Sequence, residues 1–321
     1  MEITELPAGT LNARQFIAQK VREISETVKD HSAITALSGG VDSSVVTMLG
    51  HRALGERLKA CFIDNGLMRE DEPRKVAQVF QTLNVPVEIV SAQKEFFAAL
   101  RGLLDPEEKR EAITQTFYKK VFRRLLKKSG ARYLLQGTIL TDVEETVAGI
   151  KRQHNVLEQL GIDPQRAFGY SVVEPLVQLR KDGVRKVAKA LGLPRSIYQR
   201  MPFPGPALAA RVVGEASPKR IELVRMATAI VEEELRSTKV FQYMAILHAD
   251  RFTGMRAGRR ELGMQIEIRC WESVDARTAK PVWLSPRVQE RLARRITGEV
   301  PGVVSVTCNI TPKPPSTMEA V

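Results

Sequence analysis

The sequence predicts an α/β protein, a doubly wound parallel sheet of five strands followed by a smaller α+β domain. Three observations carry this. Short runs rich in Val, Ile and Leu recur at 33–37, 59–63, 87–90, 132–136 and 171–173. Stretches of helical period separate the earlier ones, at about 43–54, 70–83, 93–102 and 107–129, and strand alternating with helix means crossover connections and parallel neighbours. The strand runs are continuously apolar, as in a sheet covered on both faces.

The elements follow in order. Residues 10–30 place Phe16, Ile17, Val21, Ile24 and Val28 on one face of a helix ahead of the first strand. That strand stops at Ser38 and turns through Gly39 and Gly40 straight into the next helical pattern. The run KKVFRRLLKKSGAR, 119–132, keeps Val121, Phe122, Leu125 and Leu126 at helical spacing, so its cations read as the solvated face of an amphipathic helix. At MPFPGPALAARVVGE, 201–215, two X-Pro steps and a Gly-Pro break any regular element. The expected boundary lies there, giving domains 1–205 and 206–321. Beyond it come a helix at about 217–236, strand-like runs at 240–247 and 264–271, a helix at 286–297 and a strand at 302–310. This order is mixed α+β.

With 321 residues, 43% of them hydrophobic, each domain can bury a core. No stretch approaches the roughly 20 apolar residues of a membrane span. The start, MEITELPAGT, carries acids where a secretory signal carries lysines, so the expected location is cytoplasmic. Cys61, Cys270 and Cys308 are far apart and show no CxxC spacing, which argues against a disulfide framework and a zinc site. A net charge of +12 permits a nucleic-acid partner and equally suits anionic small substrates. No aromatic motif that reads RNA is present.

ITALSGGVDSSVV, 34–46, carries the chemistry. In an open parallel sheet, ligands sit at the carboxyl ends of the strands. Glycines there let backbone N–H groups approach an anion, and the following helix adds its own free N–H groups and positive dipole end. Ser38, Ser43 and Ser44 add hydroxyls. Asp42 is acidic where an anion should bind, which is costly unless Mg²⁺ bridges the two. The turn reads as a pyrophosphate–Mg²⁺ cradle. It is neither GxxxxGK[ST] nor GxGxxG. A capped helix after a tight turn is the bland alternative, and it needs one such residue rather than SGGVDSS.

SGGVDSS resembles the PP-loop of the ATP pyrophosphatases, which cleave ATP between the α and β phosphates. The similarity extends in order to the synthetase part of the GMP synthase family: CFIDNGLMR (61–69), LLQGTILTDVEET (134–146), IKRQHNV (150–156), VEPLVQLRKDGVRKVAKALGLP (173–194), FPGPALAARVVGE (203–215) and ITPKPPSTMEAV (310–321). The resemblance implies a PP-loop fold with a C-terminal dimerisation domain, and ATP-dependent amination of a purine nucleotide, XMP to GMP, through an adenylated intermediate. It implies ATP and Mg²⁺ as cofactors. Ser38, Gly39, Gly40, Asp42, Ser43 and Ser44 would hold pyrophosphate, with Asp42 and Asp142 on Mg²⁺. Phe62, Ile63, Asp64 and Asn65 would line the adenosine pocket, with Gly137 nearby. Lys151 and His154, with Asn155, match part of a lid over the nucleotide, although Gln153 stands where the family has another histidine. Pro204, Gly205, Pro206, Arg211 and Lys313 would bind the substrate nucleotide. Asp142 also suits a helix start in TILTDVEET.

Only about 32 residues precede the first strand, and no cysteine sits in a nucleophile's setting, so ammonia would come from bulk solution or a separate glutaminase. Two departures lie in the second domain. MRAGRREL (255–262) replaces the family's Gly-Asp-x-Arg-Thr-Tyr, and the tail reads Met318-Glu319-Ala320-Val321 instead of Ile-x-Trp-Glu. They leave open a different acceptor. Two other functions stay in view: a PP-loop enzyme modifying an RNA base by thiolation or amination, and a non-catalytic nucleotide-binding paralogue.

Overall fold

β1 (Ala33–Leu37) is the middle strand of a five-stranded, wholly parallel sheet in the computed structural model of the chain, which describes residues 3–147, 169–274 and 277–320. The strand order is β3-β2-β1-β4-β5, with β2 Leu58–Asp64, β3 Val87–Ser91, β4 Tyr133–Leu135 and β5 Ser171–Val173. Register is fixed on both sides of β1: Thr35 pairs with Ala60 of β2 and with Leu135 of β4. β1 and β2 are apolar on both faces, with Ile34, Leu37, Cys61 and Phe62 all buried. β3, at the sheet's edge, is part-exposed along its length, so the two-sided cover that its apolar run predicts belongs to the inner strands.

The chain winds outward from β1 in two directions, first to β2 and β3, then through β4 to β5. The switch of direction lies between β1 and β4, where open α/β sheets bind their ligands. The helices are α1 (Ala13–Val28), α2 (Val41–Leu54), α3 (Glu72–Thr82), α4 (Gln93–Leu100), α5 (Pro106–Gln115), α6 (Arg123–Ser129), α7 (Leu140–Val147), α8 (Lys181–Ala190) and α9 (Arg195–Tyr198). α5 and α6 fall inside one expected helix, and a π-helical stretch, Thr116–Phe122, joins them. The six cations from Lys119 to Lys128 are exposed while Val121, Phe122, Leu125 and Leu126 are buried, the amphipathic split that their spacing predicts.

The second sheet is built from a long antiparallel hairpin, β6 (Gln242–Arg256) and β7 (Arg259–Glu272). β8 (Lys280–Pro281) and the parallel β9 (Val303–Cys308) both pair with β7. α10 (Pro218–Glu234) and α11 (Pro286–Glu299) accompany it. Its core includes Met244, Ile246, Trp271, Ala279 and Met318.

The chain divides into two units. Residues 1–64, 72–91 and 117–200 form the first, and 65–71, 92–116 and 201–321 the second. The changeover at Arg200/Met201 falls a few residues before 205. The second unit also takes in the segments after β2 and after β3, which sequence order alone assigns to the first domain. Among the described residues no helix is long and apolar enough to cross a membrane.

Candidate active site: a phosphate cradle at the switch point

The cradle is built by hydroxyls folding back onto backbone. Ser38 Oγ and Ser43 Oγ lie 3.1 Å apart, Ser38 N–H donates to Ser43 Oγ at 3.2 Å, and Gly40 N–H faces Ser38 Oγ at 3.4 Å. Ser44 Oγ donates to Gly40 O at 2.8 Å, fastening the first turn of α2. Gly40 caps α2 with no side chain, so that end keeps backbone donors for an anion. Gly39 has φ +75°, a conformation that favours glycine.

The turn after β4 closes the other side. A Cβ on Gly137 would lie 3.1 Å from both the Asp42 carbonyl carbon and Ser43 N. Only glycine lets the two strand-to-helix turns meet so closely at the switch point. Asp42 therefore sits between the β1 and β4 turns. Its Oδ2 accepts from Lys181 Nζ at 2.6 Å, and its Oδ1 is buried with no hydrogen-bond partner among the described residues. Arg180 anchors the start of α8, forking onto Glu144 at 2.6 and 2.9 Å and reaching Glu5 at 3.0 Å, which places Lys181.

The other expected residues are distributed as follows. Asp142, at the start of α7, uses Oδ2 to accept from Ile139 N–H at 3.1 Å, the helix-start role its sequence allows. Phe62 and Ile63 are 1% and 6% exposed, core side chains of β2, while Asp64 is part-exposed at the strand's carboxyl end. Asn65 caps its own turn, accepting from Leu67 N–H at 2.9 Å. Lys151 and His154 lie outside the described residues.

A Mg²⁺ ion fits Asp42. Among the described residues no three carboxylate, histidine or cysteine groups converge as a cage. Mg²⁺ is usually held by one or two carboxylates plus substrate phosphates, and the buried, unsatisfied Asp42 Oδ1 is the oxygen such an ion would use.

In the second unit, Ala207 N–H closes the Pro204-Gly205-Pro206 turn onto Pro204 O at 2.9 Å. The Arg69 and Arg211 guanidiniums both lie against the Phe203 ring, 3.9 and 4.8 Å from its centroid. Arg211 is 1% exposed, with Nε 3.7 Å from Glu319 Oε2. Glu319 Oε1 also accepts from Gln242 Nε2 at 3.1 Å. The tail is fastened to β7, with Arg269 donating to Thr317 O at 2.9 Å and Trp271 Nε1 to Met318 O at 3.3 Å. Lys313 and Ala279 exchange backbone hydrogen bonds at 2.9 and 3.0 Å. Lys109, 2% exposed, donates to Val212 O and Gly214 O at 2.8 and 3.1 Å, holding the chain that leaves Arg211.

Comparison with known proteins gives the family. The NAD synthase family model matches residues 11–209 and the GMP synthase C terminal domain model matches 229–320. The B subunit of the glutamine-hydrolyzing GMP synthase of Archaeoglobus fulgidus is 47% identical over 96% of this chain and 99% of its own. Its counterpart of the same name from Pyrococcus furiosus is 46% identical over 95% and 96%, and that from Methanopyrus kandleri 43% over 95% and 98%. The chain belongs to the GMP synthase family, among its B subunits.

Membership in the GMP synthase family covers both departures. MRAGRREL and the tail as far as Ala320 fall within the matched C-terminal domain. As a family member the chain is an ATP-dependent ligase with a PP-loop. Sequence reasoning missed Lys181, Arg200 and Glu72. Lys181 stands in the family-like segment LRKDGVRKVAKALGLP and opens an amphipathic helix, a signal that was legible. Arg200 and Glu72 have no local signal, since each is defined by a partner far along the chain.

Proposed function

We propose that the chain aminates XMP to GMP, driven by cleavage of ATP to AMP and pyrophosphate. The observation that carries this reading is a lysine-free phosphate cradle at the switch point, with an unsatisfied carboxylate oxygen at its centre, in a chain of this family. A carbonyl oxygen of the XMP base attacks the α-phosphorus of ATP, the bond from that phosphorus to pyrophosphate breaks, and the neighbouring ring N–H gives up its proton. Ammonia then attacks the carbon bearing that oxygen, loses a proton, and AMP departs with the oxygen. The protein contributes positioning and electrostatic stabilisation.

The Ser38 and Ser43 hydroxyls and the Gly39 and Gly40 amides hold the pyrophosphate, while the Ser44 hydroxyl, buried and bonded to Gly40 O, supports the turn from behind. Asp42, with Asp142 as a second carboxylate, holds Mg²⁺. Mg²⁺ bound there neutralises charge on the phosphate oxygens. Lys181, already beside Asp42, supplies the cation the loop lacks. Asp64, Asn65 and Gly137 are assigned to ATP, with β2 residues Phe62 and Ile63 as its packed support. Pro204, Gly205, Pro206, Arg211 and Lys313 are assigned to XMP, and Lys151 and His154 to a lid that excludes water from the adenylate.

Ammonia comes from a separate glutaminase. The relatives' name supports this, since it makes each of them one subunit of a glutamine-hydrolyzing synthase. The isolated chain accordingly uses ammonium, faster as alkaline pH releases free ammonia, and leaves glutamine intact. We read β6 and β7 as a homodimer face, since Met255 and Leu262 are 70% and 61% exposed on paired strands. The setting is cytoplasmic.

The test supplies ATP, Mg²⁺, ammonium and XMP and resolves the products by mass. GMP, AMP and pyrophosphate in equal amounts support the reading. ADP and phosphate overturn it. AMP and pyrophosphate formed only with RNA present point to a base-modifying enzyme.

A further inference from the structure

The two glycines that let the cradle approach a phosphate create a second problem. With no Cβ on either side, the peptide joining Gly39 to Gly40 is free to rotate between two faces. A trans peptide carries its carbonyl oxygen and the next N–H on opposite sides. One orientation offers the Gly40 N–H to the anion, and the other offers the Gly39 oxygen, which repels it. Something must choose between them.

The structure shows a side chain placed to do so. Arg200 Nη1 donates to Gly39 O at 2.9 Å. Its Nη2 is ion-paired with Glu72, the first residue of α3, which is 4% exposed. Glu72 lies at the N-terminal end of α3, where a carboxylate is favoured, and anchors the guanidinium from there. With its oxygen held by Arg200, the peptide turns the Gly40 N–H toward Ser38 Oγ, among the hydroxyls that line the cradle. A Cβ on Gly39 would meet Arg200 Nη1 at 2.7 Å and Glu72 Oε1 at 2.9 Å, so the pair fills the space a side chain would otherwise claim. The Arg200 charge is spent on Glu72 and on a carbonyl, and it faces the oxygen side of the peptide rather than its donor side.

We infer that Arg200, anchored by Glu72, is a positioning residue of the phosphate cradle: it fixes the Gly39–Gly40 peptide with the Gly40 N–H toward the bound pyrophosphate. This rests on the proposed ATP site. Arg200 acts through Gly39 and does not touch the nucleotide. Toward the peptide the pair behaves as one unit, because Arg200 is the link between Glu72 and the Gly39 oxygen, and Glu72 holds the guanidinium in place on that oxygen.

The experiment compares the full-length wild type with Glu72→Gln, Arg200→Gln, Arg200→Lys and the double variant Glu72→Gln/Arg200→Gln. Thermal melting is recorded for each. Both single Gln variants are expected to lower kcat/KM for ATP roughly tenfold or more while the KM for XMP stays put. The double variant is expected to be no worse than Arg200→Gln, since contacts in one network are not additive. Arg200→Lys, which keeps a donor and a cation, recovers part of the loss. Wild-type kinetics in Glu72→Gln beside an impaired Arg200→Gln would overturn the inference, because Arg200 would then be acting on the nucleotide directly. A lowered melting temperature with unchanged ATP parameters would also overturn it, leaving a structural ion pair. Should the wild type form no GMP, the proposed function fails, and calorimetric affinity for a non-hydrolysable ATP analogue still judges the clamp. Weakened binding in Glu72→Gln supports it and unchanged binding refutes it.

Discussion

Lys181 Nζ lies 2.6 Å from Asp42 Oδ2, so the cation missing from the Ser-Gly-Gly turn is delivered by the first residue of a helix 139 positions later. The turn can stay small and close-fitting because its positive charge arrives from elsewhere. Lys181→Met should lower kcat/KM for ATP by roughly tenfold to a hundredfold, the worth of one charge-assisted contact. It should also leave Asp42 carrying an uncompensated charge, so tighter apparent Mg²⁺ binding should accompany the loss. Steady-state kinetics across Mg²⁺ concentrations reads both. Wild-type ATP kinetics in the variant would remove Lys181 from the site.

Asp142 has two roles assigned to it, and one substitution separates them. Asn at this position can still accept from Ile139 N–H, so the start of α7 and the melting temperature should be nearly unchanged. It cannot supply an anionic oxygen. If Asp142 is the second Mg²⁺ carboxylate, Asp142→Asn raises the Mg²⁺ concentration needed for half-maximal rate. Unchanged Mg²⁺ dependence would leave Asp142 a helix-start residue alone.

Gly137→Ala tests the close approach of the two turns. The new methyl would sit 3.1 Å from backbone atoms of Asp42 and Ser43, which a side-chain rotation cannot relieve. The turns must part by a few tenths of an ångström. ATP turnover should fall roughly tenfold to a hundredfold, the usual cost of small misplacements of reacting groups. Circular dichroism should show the fold retained.

Lys109 should give the second unit a measurable pH signature. Burial, aided by Arg220 nearby, pushes its amine down to about 8 from the ordinary 10.5. Between those values the unfolded chain holds a proton that the folded chain has released. Stability contributed by this group therefore rises with pH across that window. Lys109→Met abolishes the titration and strands the Val212 and Gly214 carbonyls, costing about 1–3 kcal/mol. The melting difference between wild type and variant should widen above pH 8, measured by calorimetry at several pH values. A difference that narrows there would contradict the assignment.

Much of this architecture was legible because β1 to β5 each read as a short run rich in Val, Ile and Leu, and helices of clear period follow β1, β2 and β3. The hairpin was legible only in its inner half. Residues 249–263 of β6 and β7 carry charge on both faces and show no alternation, and the turn at Ala257-Gly258 is marked by backbone alone, with φ of 47° and 74°. In the site, SGGVDSS announced the cradle since glycine, serine and aspartate have local reasons to be there. Lys181, Arg200 and Glu72 complete it through contacts that span more than a hundred positions; Lys181 at least stands in a recognisable segment, whereas no local pattern marks Arg200 or Glu72. Phe62, within the segment that resembles the family's adenosine pocket, has its side chain in the core of β2, a burial that the segment's apolar start also encodes.

The central claim is that ATP activates a carbonyl oxygen of the XMP base as an adenylate within this chain. The most direct measurement places a heavy oxygen isotope in the carbonyl that the amino group replaces and follows it by mass spectrometry after turnover with ATP, Mg²⁺ and ammonium. The account predicts that the label leaves in AMP, while pyrophosphate and solvent remain unlabelled and GMP has lost it. Label found in phosphate, or released to water while AMP stays light, would contradict it.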